Sequence, residues 1–330
     1  MTSPPWPARS VAVPTAEEMR TAWRLVAAHL APTPVDPGAG TAREPALKLE
    51  SLQPTGSFKV RGALAALAAA PPRSPVVTAS AGNHALGLAF AARALGREVT
   101  VVVAENASPA KVRLLRRLGV DLVQTGACYD DAEAYARRLA RDGAHYISAY
   151  NDPHVIAGQS TVGRELDAQL GGSLGGPVTV VCGVGGGGLA AGLGLWAADR
   201  PQVRVIGVEA AASTAVSTAV AAGRQVPVDV GPTLADGMAG NIEPGSVTVG
   251  LVARHVDRLV TVTEDEIGAA LRYLAGERGH VAEGAGAAAV AALLAGKVTP
   301  HGRMVAVVSG RNITLRALAA VLAQPRPGAP

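Results

Sequence analysis

Aromatic side chains are scarce: three Trp, five Tyr and two Phe in 330 residues. The core must therefore be packed from Ala, Val, Leu and Gly, which suits layers of Val-rich strands and Ala-rich helices. Cysteine is nearly missing as well. Cys128 and Cys182 alone make no disulfide framework, which fits a cytoplasmic chain. No run reaches the ~20 uninterrupted apolar residues of a membrane span, so no membrane partner is expected. The N-terminus, MTSPPWPARSVAVPTAEE, is Pro-rich and lacks an apolar h-region, which argues against a secretory signal. Charge is low, at 17% against 48% hydrophobic residues, and that balance excludes intrinsic disorder. Lysine is the rarest cation: Lys48, Lys59, Lys111 and Lys297 stand against 26 Arg. The net charge of +4 invites a nucleic-acid reading. The arginines are spread along the chain, however. The groups Arg113/Arg116/Arg117 and Arg137/Arg138/Arg141 read as solvated helix faces, and no nucleic-acid partner is expected.

What is present is an alternation of short β-branched runs with Ala/Leu/Arg-rich stretches of helical period. Strands are expected at Pro75–Thr78, Glu98–Val103, Asp121–Thr125, Ala144–Ile147, Pro177–Cys182, Val203–Val208, Arg258–Val262 and Met304–Val308. Helices are expected at Asn83–Leu95, Ser108–Leu118, Asp130–Arg141, His154–Leu170, Gly187–Ala198, Glu264–Arg278, Gly286–Leu294 and Asn312–Leu322. Thr15-Ala-Glu-Glu18 is a capping box for a further helix to about Leu30. Ser108 reads as an N-cap with Pro109 in the first helical position. The fold class is α/β, with two domains of twisted, mostly parallel sheets flanked by helices. Residues 1–74 and 151–330 are expected to form the larger domain and 75–150 the smaller, with a site in the cleft between them. Gly171–Gly176 reads as a flexible loop and the tail after Gln324 as frayed.

Four segments break the rules of their elements, which marks candidate functional sites. Gly183-Val-Gly-Gly-Gly-Gly-Leu189 joins a strand to a helix. Its glycines lose much entropy on ordering but leave backbone N–H groups unobstructed, as an anion cradle needs. The same stretch matches G-x-G-x-x-G, and Glu209 ends the next strand where a ribose-binding acid would sit, so a dinucleotide reading stays open here. Ser57-Phe-Lys59 places a lysine at a loop-to-helix junction in a chain that otherwise uses Arg. Only Lys can lose its proton and form a Schiff base. Ser80-Ala-Gly-Asn-His-Ala85 runs from a strand end into a helix, where free N–H groups with Ser80 and Asn83 can bind a carboxylate. Ser309-Gly-Arg-Asn312 sets an uncharged hydroxyl at a strand-to-helix turn.

Taken in order, these pieces carry a resemblance. Lys48-Leu-Glu-Ser-Leu-Gln-Pro-Thr-Gly-Ser-Phe-Lys59 is followed by Ser80–Ala85, Ala157-Gly-Gln159, Gly185–Leu189, Leu234-Ala-Asp-Gly237, Glu283-Gly-Ala-Gly-Ala287 and Ser309–Asn312. The chain, from about Thr33 to Asn312, resembles the threonine/serine dehydratase branch of pyridoxal-phosphate (PLP) enzymes of fold type II. The order of the seven pieces displaces the dinucleotide reading. The resemblance implies that Lys59 holds PLP as a Schiff base and takes the substrate α-proton, with Phe58 beside it. Asn83 would hydrogen-bond the cofactor O3′. Gly185, Gly186, Gly187, Gly188 and Leu189 would cup its phosphate, and Ser309 would face the pyridine nitrogen. Ser80, Asn83, His84 and Ala85 would clamp the substrate carboxylate, and Glu283 would lie near the ring edge.

The implied activity is elimination of water from a β-hydroxy L-amino acid of the threonine or serine type, giving a 2-oxo acid and ammonia in a cytoplasmic homo-oligomer, taken as a homodimer. Two alternatives stay open: an acidic or larger β-hydroxy substrate (3-hydroxyaspartate, phenylserine, a hydroxyectoine-derived compound) and a β-replacement transferase of the cysteine-synthase type. Three departures bear on the choice. Arg311 stands where the family's turn has Gly; its side chain either leaves the turn for solvent or a partner carboxylate, or reaches a substrate's distal acid. Ala81 stands where racemases of this branch carry a second Ser. The family's divalent-cation site would use Glu209 and an acid six residues on, where Ala215 stands, so no metal is expected.

Overall fold

The structure is a computed structural model and describes residues 9–171 and 176–324. The interior of the expected Gly171–Gly176 loop and the tail beyond Gln324 lie outside the described residues. Two sheets form. The larger has the order β1 (Val35–Asp36), β2 (Ala46–Lys48), β10 (Arg303–Val307), β7 (Val178–Gly183), β8 (Val203–Ala210) and β9 (Arg258–Val262). The smaller has the order β5 (Asp121–Gln124), β4 (Thr100–Val103), β3 (Val76–Ala79) and β6 (His145–Tyr146). All pairings are parallel except β1 with β2. The central strands β3, β7 and β10 are Val-rich and buried nearly throughout, as parallel strands covered on both faces must be.

Twelve helices cover the sheets among the described residues. In chain order they are α1 (Ala16–His29), α2 (Lys59–Ala69), α3 (Asn83–Leu95), α4 (Pro109–Arg117), α5 (Tyr129–Arg141), α6 (Pro153–Gln169), α7 (Gly188–Ala197), α8 (Ala215–Ala222), α9 (Val247–His255), α10 (Glu264–Gly276), α11 (Gly284–Leu294) and α12 (Leu315–Leu322). Thr15 and Glu18 form the expected capping box of α1. Ser108 sits at the N-cap of α4, but its side chain makes no capping bond. The last helix starts at Leu315 rather than Asn312, because Thr314 caps it by accepting from the Ala317 amide. α11 is built of Ala, Gly, Val and Leu and is buried along nearly its whole length, which lets its backbone lie close to the larger sheet. No helix among the described residues is long and apolar enough to cross a membrane.

The packing cuts across the expected boundary at residue 74. Val60, Ala63, Leu64 and Leu67 of α2 and Val26 of α1 join Val76, Val101 and Val103 in one apolar cluster. Segment 1–74 thus supplies two helices to the core of the smaller sheet. The structure also corrects the reading of α5 as carrying a solvated arginine face. Arg138 and Arg141 are exposed, but Arg137 is buried. Its cost of burial is offset by pairing with Glu133 at 3.0 Å and with Glu243.

Candidate active site

β10 lies between β2 and β7 and runs parallel to both. The segments after these strands therefore leave one edge of the sheet: 49–59 after β2, 308–312 after β10 and 184–188 after β7. The order runs from β7 through β8 to β9 on one side and back through β10 and β2 on the other, and ligands of open α/β sheets bind at such a switch point. The smaller sheet has the same property at β3, flanked by β4 and β6. Ser80–Asn83 and Ile147–Tyr150 leave its strand ends there.

Lys59 opens α2 and is half-buried. Its Nζ donates to the Ala149 carbonyl at 2.8 Å and lies 5.2 Å from the centre of the Phe58 ring. Burial pulls its pKa down to about 8, against the opposing pull of the Glu283 carboxylate. The start of α2 is fixed by a buried ion cluster. Arg61 donates to Glu50 at 2.7 Å and to Glu165 at 2.6 Å, and Lys48 donates to Glu165 and to the Thr33 carbonyl at 2.8 Å. All four side chains are essentially inaccessible to water. Such a cluster contributes placement more than net stability, but loss of one member leaves an unpaired buried charge at about 3–5 kcal/mol.

The lowered pKa of Lys59 has a measurable consequence. The folded chain holds the amine's proton less tightly than the unfolded chain does, so stability rises with pH between about 8 and the ordinary lysine value. Below that window the penalty is fully present. Lys59→Met should raise the stability of the cofactor-free chain at pH 7 by about 2 kcal/mol, somewhat less than the full shift because solvent reaches part of the side chain. The gain should fade as pH approaches 10. Urea unfolding of both chains at pH 7 and 10 measures it, and equal stability at pH 7 contradicts the lowered pKa.

The glycine loop packs against protein on its side-chain face. A Cβ on Gly186 would lie 2.3 Å from the Tyr150 ring, and one on Gly188 would lie 3.1 Å from Tyr150 Cα. Gly187 takes φ +85°, a left-handed conformation that disfavours any side chain. Thr248 Oγ1 donates to the Gly186 carbonyl at 2.8 Å. The amides of Gly185 to Leu189 donate to no protein acceptor among the described residues. At α3 the N–H groups of Asn83, His84 and Ala85 are likewise unpaired among the described residues, while Ser80 Oγ accepts from Gly82 at 3.1 Å. Two helix N-termini thus present free donors.

Asn83 links the two sheets. Its Nδ2 donates to Glu283 Oε1 and its Oδ1 accepts from Asn312 Nδ2, both at 2.6 Å. Burial pushes the Glu283 pKa up to about 7, while the Asn83 bond works against it. A Cβ on Gly310 would lie 2.2 Å from Glu283 Oε1, so a side chain there would displace the carboxylate. Ser309 is buried and its Oγ donates to the Ala285 carbonyl at 3.3 Å. His84 is buried, neither ring nitrogen has a side-chain hydrogen-bond partner among the described residues, and burial with the nearby Lys59 ammonium lowers its pKa to about 3. It is a neutral imidazole at any physiological pH. Arg311 donates from Nη1 to the Ser51 carbonyl. Glu209, the candidate ribose or cation ligand, accepts from the amides of Val216 at 2.8 Å and Ser217 at 3.1 Å and so caps α8.

Several site residues were not foreseen. Ala149, Tyr150 and Thr248 come to the lysine and the glycine loop from segments without a motif. Tyr150 had one usable signal: it is one of few aromatic residues and it closely follows a strand end. Lys111 of α4 pairs with Asp236 at 3.2 Å, and both act electrostatically on Glu283, which ties the weak Leu234–Gly237 motif to the site.

The arrangement fits pyridoxal phosphate. Unpaired amides with no side chains in the way suit the phosphate, Lys59 suits the aldehyde, and a neutral hydroxyl at Ser309 suits the ring nitrogen. A family model described as pyridoxal-phosphate dependent enzyme matches residues 26–310. The chain is 42% identical over 281 residues to an L-threonine ammonia-lyase of Thermotoga maritima, covering 83% of this chain and 68% of that one. It is 37% identical over 277 residues to a catabolic L-threonine dehydratase of Escherichia coli K12, covering 82% and 83%. Its fold is similar to the crystal structure of a T.th. threonine deaminase, with TM-score 0.83 and 35% identity over 92% of this chain and 99% of that one. It is also similar to maize serine racemase, with TM-score 0.84 and 28% identity over 94% and 97%. The chain belongs to the pyridoxal-phosphate dependent enzyme family.

Proposed function

We propose that the chain is an L-threonine ammonia-lyase that also accepts L-serine, releasing a 2-oxo acid and ammonia. The observation that carries this is a lysine of lowered pKa bonded to the Ala149 carbonyl, next in the chain to the residue that packs on the glycine loop, with free amides at the starts of α3 and α7. PLP, when bound, is an electron sink for charge that develops at the amino acid's Cα. The residues of the chain do the rest. The α3 amides with Ser80 and Asn83 hold the substrate carboxylate. The Lys59 amine is close enough to neutrality at pH 8 to take the α-proton. The C–O bond at Cβ then breaks, and the hydroxyl leaves as water with a proton returned from the Lys59 ammonium that took it from Cα. Tautomerisation and hydrolysis of the released enamine give the oxo acid and ammonia. Ser309 carries no charge, so it cannot hold a proton on the ring nitrogen as a carboxylate would. With a neutral Ser309 beside the bound ring, rapid loss of a β-leaving group would be favoured over exchange or inversion at Cα.

A neutral β-hydroxy amino acid is favoured over 3-hydroxyaspartate. Arg311 is engaged with the Ser51 carbonyl, and the carboxylates nearest Asn83 and Lys111 are Glu283 and Asp236. A distal substrate carboxylate would meet like charge there. The reading makes the enzyme cytoplasmic and homo-oligomeric, in keeping with two free cysteines.

Oxo-acid and ammonia release from L-threonine, L-serine, 3-hydroxyaspartate and phenylserine tests the proposal. L-Threonine should have the highest kcat/KM, with no requirement for an added thiol. Because Ala81 offers no proton donor, D-amino acid should be negligible by chiral chromatography, and Ala81→Ser should at most introduce slow racemization. Product formed only with a thiol, or only from 3-hydroxyaspartate, overturns the assignment.

A further inference from the structure

Glu243 is a buried acid that the chemistry above does not use. Its carboxylate gathers donors from three segments: Arg9 at 3.0 and 3.2 Å, Ser148 Oγ at 3.2 Å, and Arg137 of α5. Its backbone N–H donates to Tyr150 Oη at 2.7 Å. The Tyr150 ring in turn occupies the space where a side chain on Gly186 would stand, and the Tyr150 backbone and Cβ lie against Gly188. Residue 149, next in the chain, holds the lysine through its carbonyl. One short segment therefore touches Lys59, the glycine loop and the acid that anchors the helix of the smaller sheet.

We propose that Tyr150 is a positioning residue for the phosphate-binding loop, and that Glu243 sets its pose according to how the smaller sheet is docked. Four successive glycines are the least self-ordering residues available. Free amides bind an anion well only if they converge before it arrives. The ring supplies the wall that holds the glycine backbone in place, and the Oη bond holds the ring. The proposal rests on the reading of the loop as the phosphate site.

Affinities of the cofactor-free chain for PLP and for pyridoxal, which lacks the phosphate, separate these ideas when read by fluorescence quenching. The wild-type chain should prefer PLP strongly; equal affinities mean that the loop is not the phosphate site at all. Tyr150→Ala should weaken PLP by about 100-fold and pyridoxal by less than about threefold, so the preference for phosphate collapses. Tyr150→Phe keeps the wall but loses the Oη bond, so it should lose about tenfold in PLP alone and keep part of the preference. Glu243→Gln should lose about tenfold in PLP alone. It also decides the matter if Tyr150→Ala does not fold, since its side chain keeps the same shape. Equal losses for PLP and pyridoxal in these variants mean a general structural role and overturn the proposal, as does an unchanged preference in Tyr150→Ala.

Discussion

Lys59→Ala should abolish turnover, lowering kcat by at least about 10⁴-fold, because in the proposed reaction one amine would serve as both covalent anchor and base. Nothing else can take over. His84 is neutral and lies too low in pKa to act as a base of useful strength, and Lys48 is bound into the cluster with Glu165. Lys111 is exposed and pairs with Asp236, and Lys297 pairs with Glu266. The wild-type chain should be yellow when loaded, and the variant should hold no cofactor that borohydride can fix to the protein. Borohydride reduction followed by peptide mapping should label Lys59; label on Lys111 or Lys297 would sink the assignment. The variant should fold, since the buried cluster around Arg61 stays whole.

Gly186→Asp should cost at least about 10³-fold in PLP affinity for two reasons that add. A carboxylate beside the phosphate repels it, and the new Cβ, 2.3 Å from the Tyr150 ring, must move the ring or the loop. The secondary structure should remain, because the strand β7 and the helix α7 on either side are packed independently of this residue. Visible absorbance after dialysis, with far-ultraviolet circular dichroism as the control for folding, reads both. Full retention of cofactor by Gly186→Asp would falsify the assignment of the loop, and tight NAD binding without PLP would restore the dinucleotide reading.

Local features of this site were legible in the sequence to the extent that they are local. Lysine among arginines, four glycines after a Val-rich strand, and Ser-Ala-Gly-Asn before an Ala/Leu helix each announce backbone or amine chemistry by composition. Two elements, Asn83–Leu95 and Arg258–Val262, have the bounds that pattern alone assigns. Other features depend on contacts between distant segments. β1 and β2 have two and three residues, too few to show any period, and exist because β10 pairs with β2. The helices α8 and α9 are short and apolar, and nothing in their sequence says that Glu209 will cap one of them. Lys48 and Glu165 are 117 residues apart, so their pairing could not be read from either neighbourhood. Arg137 followed the same rule: helical spacing suggested solvent, and a partner acid 106 residues away placed it inside.

The order of strands also governs how the protein can be made. The smaller sheet is drawn from one continuous stretch, residues 76–146, and can assemble early during synthesis. The larger sheet cannot. Its interior strand β10, at residues 303–307, is the last to leave the ribosome, yet it must sit between β2 and β7, which were made long before. Until then β2 and β7 each keep an unpaired edge, the state that invites wrong pairing with other chains. Lys59 and the glycine loop also follow strands that β10 has not yet joined. Cofactor capture is thus a late event in the life of the nascent chain, and truncation just before Arg303 should yield a protein that has its catalytic lysine but aggregates rather than turning yellow.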